Sequence, residues 1–75
     1  MEINKKLYSD IYHVILVLNE TVINPAPRKQ ILKYTKELGR RKGRIYLYSD
    51  IDEHLQYMVS QKLVRKDNED CYEVY

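Results

Sequence analysis

The chain has 75 residues, enough for one small domain, with 44% hydrophobic and 32% charged residues. That composition excludes a disordered segment, and the length leaves little room for a core together with a buried catalytic cleft. Net charge is only +2, but residues 28–44 hold eight basic groups against one acidic, a local net of +7.

From Leu7 the apolar residues Leu7, Ile11, Val14, Ile15 and Leu18 recur at three and four, one face of a helix predicted over residues 5–19. Tyr8 and Tyr12 lie four apart on a flanking stripe. Thr21-Val22-Ile23 is β-branched and predicts a short strand, closed by Asn24-Pro25-Ala26-Pro27. Pro27 suits the first turn of a second helix over residues 27–38, with Ile31, Leu32, Thr35 and Leu38 inward and Gly39 as its C-terminal cap. Arg40 to Arg44 then reads as a basic loop. Ile45-Tyr46-Leu47-Tyr48 is a short strand or the extended lead-in to a third helix. Ser49 with Asp52 resembles a capping box, and Ile51, Leu55, Met58, Val59 and Lys62 fall at helical spacing. After that the period becomes two. Leu63 to Lys66 and Cys71 to Tyr75 flank the polar turn Asp67-Asn68-Glu69-Asp70, a β-hairpin.

Little in the chain suggests chemistry. His13 and His54 have no second ligand at metal spacing, so no metal or other cofactor is expected. Cys71 has no arranged base and reads as a packed thiol of the hairpin. A lone cysteine forms no internal disulfide, which favours a reducing cytoplasm, with an intermolecular Cys71 disulfide as the alternative. Asp50, Asp52 and Glu53 fit a helix N-terminus better than an acid–base pair. Gly39 and Gly43 lack the Lys-Ser/Thr end of a phosphate loop. No apolar run approaches a bilayer span, and no signal peptide is recognisable. The expectation is binding and not catalysis.

The feature that points to a partner is the basic segment: Arg28, Lys29, Lys33, Lys36, Arg40, Arg41, Lys42 and Arg44. Spaced cations neutralise phosphates and release counterions, and that reading is preferred here to the alternative of a merely solvated face. Tyr46 and Tyr48 flank the segment and are read first as core packing at its rim, second as platforms for bases. Tyr8 and Tyr12 are candidates for a homodimer contact.

Asp50 to Val64, with Leu55, Met58, Leu63 and Val64 in the apolar places, resembles the third helix of winged-helix transcription regulators. Lys62 stands where that family often has Gly. The order helix, strand, helix, helix, hairpin is also the family's, and Arg65 to Tyr75 matches its wing. The size and Ile-, Tyr- and Lys-rich composition are similar to those of small proteins of crenarchaeal viruses and plasmids. The resemblance implies an α+β winged helix that binds double-stranded DNA as a homodimer and regulates transcription in the cytoplasm, a host's cytoplasm if the source is viral. Gln56, Tyr57, Ser60 and Gln61 would then face bases and Arg65 and Lys66 would serve the wing. Two features depart from the family: ten residues, Gly39 to Tyr48, join helices two and three, and Asp50, Asp52, Glu53, Asp67, Glu69 and Asp70 place acid where phosphates normally approach. The alternative is a protein-interaction module whose acidic third helix and wing hold a basic protein partner.

Overall fold

The helical periodicity becomes three helices packed on a small antiparallel sheet, in a computed structural model that describes residues 2–75. Helix α1 spans Lys5–Thr21 and starts where the Asn4 side chain accepts from the Leu7 amide at 3.2 Å. Its inward face carries Leu7, Ile11, Val14, Ile15 and Leu18, as the spacing requires, together with Asp10. Val22 and Ile23 both donate to the Leu18 carbonyl and end the helix, so the strand expected at residues 21–23 does not form. The first strand, β1, is Ala26–Pro27. β-Branching is a weak local preference; what places β1 is the partner β3, whose Tyr72 and Cys71 stand opposite Ala26 and Pro27.

Helix α2 spans Arg28–Arg41, with Pro27 just outside as its N-cap and the Arg28 amide donating to the Asp70 carbonyl at 3.1 Å. Gly39 is not its cap. The helix runs through it, and Gly39 is buried because the Tyr46 ring lies where a Cβ would come within 2.5 Å. The left-handed residue that ends α2 is Gly43, at φ 74°, with Arg44 donating back to Gly39 and Gly43 to Arg40. Arg40 and Arg41 are therefore helical, and the link to the next helix shrinks from ten residues to 42–47.

Helix α3 spans Tyr48–Ser60. Leu47, not Ser49, is its N-cap, without a side-chain hydrogen bond, and Ser49 lies inside the first turn. The helix ends in the same bonding pattern as α2, with Lys62 at φ 61° in the place of Gly43. Lys62 is therefore exposed beyond the helix and not on its inward face. Strands β2 (Val64–Lys66) and β3 (Cys71–Val74) form the expected hairpin, and the sheet order is β1-β3-β2. Asp67 closes the turn by accepting from the Glu69 and Cys71 amides. Beyond the reach of the two-residue β1, Asn19 of α1 takes up β3, accepting from the Val74 amide at 2.9 Å and donating to the Tyr72 carbonyl.

Among the described residues, thirteen buried apolar ones from all three helices, the link and the sheet form the core. Tyr72 is fully buried, its hydroxyl donating to Asp70 and accepting from Gln56. Burial, with Asp70 beside it, pushes that phenol up to about 12. Among the described residues no helix is long and apolar enough to cross a membrane.

Candidate nucleic-acid interface

Helical geometry sorts the basic segment before any tertiary contact does. At 3.6 residues per turn, Lys29, Lys33, Lys36 and Arg40 fall within about 60° of one another around the α2 axis, spread over about 16 Å of its length. The buried residues Ile31, Thr35 and Gly39 take the opposite face. Lys29, Lys33 and Arg40 are exposed, and Lys36 is half-buried with its ammonium 4.2 Å from the centre of the Tyr48 ring. Arg41 is exposed at the side of this stripe, over a cleft between α1 and α2 lined by His13, Val17 and Tyr34. Among the described residues, none of these five cations has a carboxylate within 4.0 Å.

The other three cations are spoken for. Arg28 reaches across to α3, Nε to Asp52 Oδ1 at 2.8 Å, with Asp70 of the hairpin turn at 4.0 Å. That hydrogen bond, outweighing partial burial, holds the Asp52 carboxyl below its usual range. Lys42 and Arg44 converge on Asp10, at 2.7 and 3.0 Å, and the Tyr46 hydroxyl donates to the same carboxylate at 2.7 Å. Asp10 is only 2% exposed. Burial by itself would raise its carboxyl, but the hydrogen bonds from Lys42, Tyr46 and Arg44 and the Lys42 charge outweigh it, and the group titrates below the ordinary range. The Tyr46 phenol is pushed up, by burial first and by Asp10 second.

Asp10 is the residue that periodicity reasoning passed over. The signal was present: position 10 lies three after Leu7 and four before Val14, on the inward stripe of α1. A carboxylate there needs cations, and the ones that answer are 32 and 34 residues away.

The link between α2 and α3 carries a further correction. Tyr46 packs in the core at 5% exposure, as expected of it, but Tyr48 is 51% exposed. The two aliphatic residues of the run turn outward, Ile45 at 92% and Leu47 at 57%. Ile45 and Tyr48 share a cleft of about 270 Å³ with Lys33, Lys36 and Arg40.

The residues expected to face bases are largely engaged elsewhere. Gln56 donates to the Tyr72 hydroxyl at 2.9 Å, and Tyr57 is half-buried with its ring edge-on to Tyr8, centroids 6.3 Å apart. Ser60 donates to the Tyr57 carbonyl at 2.6 Å, and Gln61 is exposed at the end of α3. Of the homodimer candidates, Tyr8 is thus partnered within its own chain, and both it and Tyr12 are half-buried against the core. In the hairpin, Arg65 pairs with Glu73 at 3.7 Å and covers the Tyr75 ring, and Lys66 pairs with Asp70 at 3.6 Å.

His54 and Cys71 are both engaged within the fold. His54 is buried with both ring nitrogens used: Nε2 accepts from the Asn4 amide at 3.0 Å and Nδ1 lies 2.8 Å from the Asp50 carbonyl oxygen. Cys71 is pushed up by loss of hydration and by Asp67, Glu69 and Asp70, the reverse of an activated thiol. Among the described residues no group of three or more His, Cys, Asp or Glu side chains is placed to hold a metal ion.

Compared with known proteins, the chain matches no family model, no curated protein and no solved structure.

Proposed function

We propose that the chain is a winged-helix protein that binds duplex DNA, as a transcription regulator does, with the outward stripe of α2 lying along the phosphates. The observation that carries this reading is the segregation of Lys29, Lys33, Lys36 and Arg40. They form one outward line, three of them exposed and Lys36 half-buried beside Tyr48, with no carboxylate within 4.0 Å among the described residues, while neighbouring cations are consumed in holding the fold. Axial steps of about 6, 4.5 and 6 Å between them suit a linear polyanion better than any small ligand. The order of elements and the C-terminal hairpin support the winged-helix assignment. The shortened link of residues 42–47 removes one of the two departures from that family. The other, the acidic start of α3, argues for a docking mode led by α2: Asp50 and Glu53 are exposed and would repel phosphates if α3 approached N-terminus first.

Fluorescence anisotropy on a random-sequence duplex between about 50 and 200 mM salt tests the reading. Four phosphates neutralised by the stripe give a log–log slope of roughly −3.5. Failure to bind duplex at the lowest salt, with capture of a polylysine peptide instead, would move the function to Asp50, Glu53, Asp67 and Glu69 and to a basic protein partner.

A further inference from the structure

Resting on the DNA reading, we infer that Ile45, with Leu47 beside it, is an apolar wedge that enters the duplex next to the phosphates held by α2 and bends it. Three observations lead there. The first is exposure without a packing role: Ile45 is 92% exposed, whereas thirteen apolar residues among those described are buried in the core. Ile45, Leu47 and Tyr48 stand close together in sequence, and clustered exposure of large apolar groups marks an interaction site more often than scattered exposure does.

The second is rigidity. The link is tied down on both sides of Ile45 and at the backbone of residue 47: Arg44 and Tyr46 bond Asp10, the Tyr46 ring is seated against Gly39, and the Leu47 carbonyl accepts from the Ile51 amide at 3.0 Å. Residues 45 and 47 project between these anchors, so their ordering cost is met before any partner arrives. A flexible loop would lose that advantage, and a buried carboxylate gathering Lys42, Arg44 and Tyr46 is what prevents it here.

The third is placement. Ile45 lines the same cleft as Lys33, Lys36 and Arg40, so the partner presents negative charge and an apolar slot within one side-chain length. Duplex DNA does so when a base step is opened: aliphatic side chains inserted between base pairs unstack them and kink the helix while cations grip the adjacent phosphates. Anionic bilayers offer the same two chemistries, but two aliphatic side chains bury far less than the single acyl chain that by itself binds membranes only marginally. A straight line of cations along α2 also matches a backbone, whereas a lipid surface sets no such register.

The wedge predicts bending concentrated at flexible pyrimidine–purine steps, where unstacking costs least. The test is an energy-transfer measurement on end-labelled duplexes with a central TA step or a stiff A-tract, comparing the whole chain with its Ile45→Ser/Leu47→Ser variant. Both positions are exposed, and Ser is a favoured residue at the α3 N-cap that Leu47 occupies, so the variant is expected to melt no lower than the parent. The parent should shorten the TA duplex and prefer it to the A-tract by about tenfold, and the variant should lose both effects while keeping the salt slope. If the parent binds with that slope yet leaves the duplex straight, or the variant bends it equally, the wedge is overturned and the phosphate interface stands. If the parent does not bind duplex at all, both fall. Sedimentation of the parent, but not the variant, with phosphatidylserine vesicles in the absence of bending would assign Ile45 and Leu47 to a lipid surface and overturn the wedge.

Discussion

The two ends of the basic segment behave differently from its middle. Arg28 at the start of α2 and Lys42 and Arg44 after its end are cross-braces: they join α2 to α3 through Asp52 and the link to α1 through Asp10. Lys29, Lys33, Lys36 and Arg40 touch no carboxylate among the described residues. Each residue carries one formal positive charge in either set, but only the second set is free to exchange its counterions for phosphates. A cation already paired with a carboxylate releases little on meeting a polyanion, because its counterion is part of the protein. The difference shows why a count of basic residues overstates an electrostatic footprint.

The largest effect should come from the middle of the segment. Lys33→Gln with Lys36→Gln is expected to weaken duplex binding roughly 50-fold at 0.1 M salt and to lower the slope by about 2. Replacing Lys42 by Gln should leave the slope within error. Equal losses from the two sets, measured by anisotropy at several salt concentrations, would erase the distinction between them.

Asp10→Ala sharpens the comparison from the other side. It leaves the Tyr46 hydroxyl without its acceptor and opens a small void in the α1 face, at a cost of about 2 kcal/mol in a urea titration. The partners of Asp10 are partly exposed, which keeps the loss below that of a fully buried pair. In the same variant Lys42 and Arg44 are released, so the salt slope should steepen by up to about 2 if the link lies against DNA.

Acid should reproduce part of that loss. The folded-state pKa of Asp10 lies below its unfolded value, so its contribution is complete above the unfolded value near 4 and disappears as pH falls through the folded one. Asp52 shifts in the same direction, through Arg28, and adds to the effect. The Asp10→Ala chain should therefore lose less stability than the parent between about pH 4 and pH 2, followed as urea midpoints. Parallel curves would show that Asp10 is not braced as described.

Arg28→Gln should matter least. Arg28 and Asp52 are each about one-third exposed, and such a pair is worth about 1 kcal/mol or less. DNA affinity should barely move, since this guanidinium is already occupied. A large fall in affinity would place Arg28 on the interface and redraw the boundary between the two sets.

Local pattern by itself determined the three helices, the hairpin with its polar turn, and the concentration of positive charge in residues 28–44. These are properties of residues within a few turns of one another, and the burial of Leu7, Ile11, Val14, Ile15 and Leu18 follows from the 3.6 period alone. The same pattern misplaced what depends on distant partners. Gly39 looked like a cap because glycine after a helical run usually is one, yet its lack of a side chain serves the Tyr46 ring. The run 45–48 did not tell which of its side chains face in; the Asp10 carboxylate and the space over Gly39 take Tyr46 inward, and Ile45, Leu47 and Tyr48 are left exposed. Tertiary structure likewise decided which cations remain available, because an ion pair such as Asp10 with Lys42 joins residues 32 apart whose meeting no local period encodes.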